Sequence, residues 1–349
     1  MISVANIRRL TLALSLLVWA LFISGCDLEP TFEKLGGRTM GTSWSLTYLP
    51  PNSDHNASAL RAALEAELLD INQSMSTYIA DSEINLVSSA PVNEPIKVSS
   101  GFAYVLDQAL TLSRLSGGAY DVTVEPLILL WGFGPEFKKD DLPSEAEVET
   151  ARAQVGYEAL EFDSASRTLV KTSPRALDFS SIAKGFGVDR LADLLLSRGI
   201  NNFMVEIGGD LVTAGHNPKG EAWRIGIERP DAASQTIEEI VDVSGLGMAT
   251  SGDYRNYFEQ DGIRYSHIID AVTGRPITHG TASVTVLADT AMMADGWATA
   301  LLALGQDRGL KIAETEGLAV LFIARRADSG ETGFATTTSS QFSKLQAKQ

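Results

Sequence analysis

Two oxygen-bearing side chains stand four residues apart in AMMADGWATALLALG (291–305): Asp295 and Thr299. On a helix that spacing places both on one face. A carboxylate and a hydroxyl side by side can reach a hard cation such as Mg²⁺, which takes oxygen ligands. An exposed aspartate beside a threonine bonded to its own helix backbone would show the same spacing. The neighbours Ala291, Met292, Met293, Ala294, Trp297 and Ala298 are apolar. An aspartate buried among them needs a partner, either a cation or a lysine.

LDFSSIAKGFGVD (177–189) is a second cluster. Ser180 and Ser181 are good N-caps for a helix that follows them. Ala183, Gly185 and Gly187 are small enough to let a ligand approach the backbone, and free N–H groups at a helix start bind phosphate. Lys184 adds a point charge at the same place. The G-x-x-x-x-G-K-[ST] order is absent, so this is no Walker loop. An ordinary capped helix with a surface lysine accounts for the same residues. In GGAYDVTVEPL (117–127), a Gly-Gly turn precedes Tyr120 and Asp121, an aromatic face and an acceptor. Taken alone, that segment reads better as a helix C-cap leading into a strand.

The chain has four histidines, and only His267, in RYSHIIDAVTG (264–274), lies inside an apolar run. The spacing predicts a strand over 265–270, with His267 on the face opposite Ile268. A satisfied core histidine, a metal ligand and an acid/base all remain open. Zinc is disfavoured because there is no second nearby histidine, no H-x-x-x-H and no C-x-x-C. G-x-S-x-G and G-x-G-x-x-G are also absent, which removes the sequence support for a hydrolase triad and a Rossmann site.

These residues need elements to position them. Apolar periodicity predicts helices over 58–72, 102–116 and 289–304, with Gly117-Gly118 stopping the second. Residues 169–200 read as strand, tight turn and helix. Strands are expected at 42–49, 202–215, 223–230, 238–252, 282–288 and 318–324. Residues 138–153 read as a charged surface loop entering a helix, and 326–349 as a polar tail without periodicity. Strands in runs with intervening helices favour an α+β fold.

Composition bounds the rest. A fourteen-residue uncharged run follows Arg8 and Arg9 and ends in Ile-Ser-Gly-Cys at Cys26, the only cysteine. The run is too short to span a membrane. It fits the hydrophobic region of a secretory signal over 1–25, with Cys26 as a lipidated first residue and 26–32 as a linker. Asp27 behind the cysteine points to retention at the inner membrane, on the periplasmic side. Removal of Arg8 and Arg9 takes the formal charge from −16 to −18. So acidic a chain argues against nucleic acid as a partner.

Eight segments stand in order: MGT (40–42), MSTY with SEI (75–78, 82–84), GGAYDVTVEPL with LWGFG, LDFSSIAKGFGVD, EIGGD (206–210), SGDYRNYF (251–258), RYSHIIDAVTGRP (264–276) and ADGWATAL (294–301). Together they resemble the ApbE family of flavin transferases across about 33–325. The resemblance implies an ApbE-like, T-fold-like α+β domain of mixed sheets with flanking helices, and an FAD site in a cleft between two lobes. It implies Mg²⁺, FAD as substrate, and transfer of FMN to a threonine of a partner protein with release of AMP, as on Rnf- and Nqr-type membrane redox subunits. By the same resemblance Met40, Tyr78, Ala119, Tyr120, Asp121, Asp178 and Lys184 contact FAD. Asp295, Thr299 and the Ser181 carbonyl hold the metal. His267 contacts FAD and activates the acceptor. Ala271 stands where the pattern usually has proline, which should loosen a turn without removing chemistry. A flavin-binding lipoprotein without transfer, or an FAD pyrophosphatase, would keep many of these residues.

Overall fold

The computed structural model describes residues 31–134, 142–231, 236–254, 256–326 and 333–347. The proposed signal segment and Cys26 lie outside these residues, as do parts of 138–153 and 326–349. No helix among the described residues is long and apolar enough to cross a membrane.

The chain begins with a hairpin, β1 (Glu33–Thr39) and β2 (Thr42–Tyr48), then α1 (Ala57–Met75), α2 (Glu83–Ser89), β3 (Pro95–Lys97) and α3 (Ser100–Leu115). Next come α4 (Glu125–Leu130), α5 (Glu145–Arg152), β4 (Leu160–Asp163), β5 (Thr168–Lys171) and α6 (Ala183–Ser197). A run of strands follows: β6 (Phe203–Ile207), β7 (Asp210–Ala214), β8 (Arg224–Glu228), β9 (Ile237–Asp242), β10 (Gly247–Gly252), β11 (Tyr257–Gln260), β12 (Ile263–Ser266), β13 (Ile269–Asp270), β14 (Arg275–Pro276) and β15 (Thr281–Ala288). The chain closes with α7 (Ala291–Leu304), α8 (Gln306–Glu316), β16 (Ala319–Arg325), β17 (Phe334–Thr338) and α9 (Ser340–Gln346).

The expected α+β fold is present. The main sheet has eight strands in the order β1-β2-β6-β7-β10-β15-β16-β17, and its neighbouring strands pair antiparallel. The helix α7 is buried almost all round, including Asp295. Its sequence is apolar on every face, which a helix can sustain only inside a core. It packs on β10, β15 and α6. Close approach is bought with glycine. A Cβ on Gly185 of α6 would lie 2.3 Å from the Ala291 carbonyl oxygen, and one on Gly247 of β10 would lie 2.3 Å from the Ala291 nitrogen.

Several sequence expectations are corrected. Residues 333–347 are no featureless tail: β17 extends the main sheet, and Phe342 of α9 is buried in a cluster with Trp223 and Leu321. Polar Thr and Ser residues hid an edge strand and a short helix. Between β5 and α6 lies an eleven-residue connection, 172–182, in place of a tight turn. Residues 119–124 form no strand and lead directly into α4. The strand expected over 265–270 is broken at His267, which sits between β12 and β13.

Candidate active site

The first helical turn of α6 meets the first two turns of α7. Lys184 Nζ lies 2.6 Å from Asp210 Oδ2 and 3.1 Å from both carboxylate oxygens of Asp295. The Gly185 backbone N–H donates to Asp295 Oδ2 at 3.0 Å. Asp295 is 3% exposed, so the sequence argument that it needs a partner is answered by a lysine and an amide. Burial works against the Lys184 ammonium, but Asp210 and Asp295 outweigh it and hold its pKa above the ordinary lysine range. Burial, reinforced by Asp210, pushes the Asp295 carboxyl up, while Lys184 and the Gly185 N–H pull it down. An ammonium 3.1 Å from both oxygens is the geometry of an ion pair,. One turn further along α7, Thr299 Oγ1 is 3.1 Å from Ser251 Oγ at the end of β10. It is not bonded back to its own helix in the way a back-bonding threonine would be.

Ser180 and Ser181 are not the caps of α6. The N-cap is Ile182, with no side-chain capping bond. Ser181 Oγ instead donates to the Tyr120 hydroxyl at 3.1 Å, and the Ser180 N–H donates to Asp178 Oδ1 at 2.6 Å. Burial raises the Tyr120 phenol, so it stays protonated. The helix start offers fewer free donors to phosphate than its sequence suggests. The Ala183 N–H goes to the Phe179 carbonyl, and the Gly185 N–H to Asp295. Asp121 is also committed: Oδ1 accepts from the Thr123 N–H and hydroxyl, and Oδ2 from the Tyr157 N–H.

His267 is held by Asn256. Its backbone N–H donates to the Asn256 carbonyl at 3.1 Å, and its Nδ1 lies 2.9 Å from the same oxygen. A carbonyl only accepts, so Nδ1 carries the proton and Nε2 is left as an acceptor. Burial lowers the imidazole pKa, more than the Asn256 carbonyl and Asp253 raise it. The ring is therefore neutral at pH 7 and able to take a proton.

A cavity of about 340 Å³ gathers these groups. It is lined by Tyr78, Ala119, Tyr120, Asp121, Asp178, Ser181, Lys184, His267, Asp295 and Thr299, which is every expected site residue among those described except Met40. Met40 lines an adjoining cavity of about 430 Å³ that shares Tyr78, Asp178, Ser180 and Lys184 with the first. The two run as one cleft past Lys184. Met40 and Gly41 form the two-residue β1–β2 turn, both with positive φ (48° and 72°). That conformation matches the twist of a tight hairpin but is costly for methionine. Tyr78 is 73% exposed at the rim.

Sequence reasoning missed Asp210, Ser251 and Asn256. Asp210 follows the Gly208-Gly209 turn in EIGGD, so a signal was present. Asn256 acts through its backbone carbonyl, for which no side-chain signal exists. At Ala271, the N–H reaches the Ala119 carbonyl at 3.4 Å, a bond that proline could not donate. The turn is tied instead by Asp270, which accepts from the Val272 N–H at 2.9 Å.

No group of three or more His, Cys, Asp or Glu side chains poised for a metal exists among the described residues. The oxygen donors of Asp295, Thr299 and Ser181 are of the kind that would suit a hard cation. They do not fit zinc.

Fold and cleft together define an α+β protein that sets a lysine, the carboxylates of Asp121, Glu125, Asp178 and Asp295, and a neutral histidine along one binding groove. The chain belongs to the ApbE family, whose sequence model matches residues 40–322. It is 43% identical to a Vibrio cholerae protein named FAD:protein FMN transferase, over 94% of this chain and 97% of the relative. A Haemophilus influenzae protein of the same name is 41% identical, over 97% and 98%. The solved flavin transferase ApbE of Vibrio cholerae superposes with a TM-score of 0.82 at 42% identity, covering 90% of this chain and 99% of that one. The apo flavinyl transferase ApbE of Pseudomonas stutzeri gives 0.83 at 37% identity, covering 92% and 98%.

Proposed function

We propose that this protein transfers FMN from FAD to a threonine hydroxyl of a partner protein and releases AMP. The observation that carries the reading is the single cleft in which Lys184 and Asp295 face the same space as the free Nε2 of His267. In the proposed step the threonine oxygen bonds to the FMN phosphorus and the bond from that phosphorus to the AMP oxygen breaks. AMP leaves with the electron pair, and the threonine proton passes to His267 Nε2. Such displacement is mostly positioning and charge neutralisation. Lys184 offers the pyrophosphate a cationic donor, but its charge is already matched by Asp210 and Asp295, so a cation is needed as well inside a protein of strong negative charge. Asp295, Thr299 and the Ser181 carbonyl would hold Mg²⁺, which when bound supplies Lewis-acid stabilisation of the phosphoryl oxygens. Tyr78 and Tyr120 offer aromatic surface, and Asp178 and Met40 lie along the extension that a dinucleotide needs.

The acceptors we infer are threonine-bearing subunits of Rnf- or Nqr-type membrane redox complexes. The site of action is the periplasmic face of the inner membrane, with the chain anchored by lipid at Cys26. The charged start, the short apolar run and the small residues before Cys26 support the anchor.

The test combines the protein with FAD, Mg²⁺ and an acceptor domain from such a subunit, read by intact mass. A gain of about 438 Da, one FMN less water from the transfer chemistry, is expected, and EDTA should abolish it. FAD bound but unchanged with several acceptors would indicate a flavin-binding lipoprotein instead.

A further inference from the structure

We propose that Asp189 is a positioning residue for the Lys184–Asp295 pair, acting through a crosswise cap between α6 and α7. The inference rests on the proposed roles of Lys184 and Asp295. Each helix closes the start of the other. Asp189, in the second turn of α6, accepts the first two N–H groups of α7: Ala291 N–H to Oδ1 at 2.8 Å and Met292 N–H to Oδ2 at 2.9 Å. Thr290 takes the third, from Met293. In return Asp295 of α7 accepts the N–H of Gly185, the third residue of α6. The α6 N-cap residue, Ile182, has no side chain able to do this.

The two bonds lie on the same contact. Gly185 packs so close to Ala291 and Met292 that a methyl group there would overlap them. Sliding or rotating α7 relative to α6 therefore breaks the Asp189 bonds and moves Asp295 off Gly185 and Lys184 together. Asp189 does not line the cleft. Its carboxylate is spent on two backbone donors whose helix carries Asp295 one turn further on. Groups that hydrogen-bond a metal ligand directly typically change metal affinity or activity by 10–100-fold when removed, and Asp189 reaches Asp295 one step further out, through the α7 backbone.

The test uses Asp189→Ala and the gentler Asp189→Asn, which keeps one acceptor oxygen and its shape. Amide hydrogen exchange is followed in peptides covering 183–187 and 290–294. The Mg²⁺ requirement is measured both by turnover and by calorimetric titration of Mg²⁺ into the FAD-loaded protein without acceptor. The expected result for Asp189→Ala is faster exchange in both peptides and a roughly 10-fold higher Mg²⁺ requirement, the low end of that range. Asp189→Asn should fall between Asp189→Ala and the wild type. Faster exchange confined to 290–294, with an unchanged Mg²⁺ requirement in both variants, would reduce Asp189 to a local cap and overturn the proposal. If the wild type itself takes up no Mg²⁺, the metal reading of Asp295 fails, while exchange at 183–187 still decides the positioning role.

Discussion

Asp295→Asn is expected to slow flavin transfer by about 10³-fold or more, because a cation's charge stabilisation is worth several kcal/mol and each 1.36 kcal/mol is a factor of ten. Asparagine keeps the size of the side chain and can still accept the Gly185 N–H. The helix junction should therefore survive. What is lost is the negative charge that would hold the cation. Removing one partner of a buried pair usually costs about 3–5 kcal/mol. Here the cost should be smaller, because Lys184 keeps Asp210 at 2.6 Å and its side chain is 30% exposed to the cleft. Single-turnover rates across a Mg²⁺ series, beside a thermal melt, separate the two effects. A folded variant within tenfold of wild type would remove Asp295 from the metal site.

His267→Asn should cost less, about 10²-fold in rate, the low end of the range for a general base. FAD binding should be nearly unchanged. The pH dependence is the sharper signature. Burial lowers the imidazole pKa from its ordinary value of 6.5, and the base form is the neutral one. Activity assigned to His267 is thus present above the folded pKa and is lost as pH falls through it. The acidic limb of the rate profile should lie below pH 6.5 and should vanish in the variant. A limb that persists in His267→Asn would assign the titration to another group.

How far the sequence reached depends on what kind of information each feature carries. The α7 helix was legible because its apolar residues recur on every face, and that forces burial. The pairing of Asp295 with a cationic group followed from the same burial. What the sequence could not give was which cation: Lys184 lies 111 residues away and reaches Asp295 only through the packing of α6 on α7. His267 was misplaced on a continuous strand because alternation does not reveal a break. Here Ser266 Oγ accepts from the Ile268 N–H and turns the chain. The tautomer of His267 depends on a backbone carbonyl eleven residues away, which no residue type announces. The short helices α2 and α4 went unread because they lack enough turns for an apolar period to show, and the three-turn α8 because only Gly309 and Ala313 of it are buried. The order of eight short segments was more informative about chemistry than any one of them, since each alone had an ordinary structural explanation.

The most direct test of transfer, as opposed to hydrolysis or storage, is the stoichiometry of a single time course. AMP, free FMN and flavinylated acceptor are quantified together, with and without the acceptor protein. Transfer predicts one AMP for each acceptor modified, little free FMN, and almost no AMP when the acceptor is left out. AMP and free FMN forming at the same rate with or without acceptor would contradict the account and make the protein an FAD pyrophosphatase.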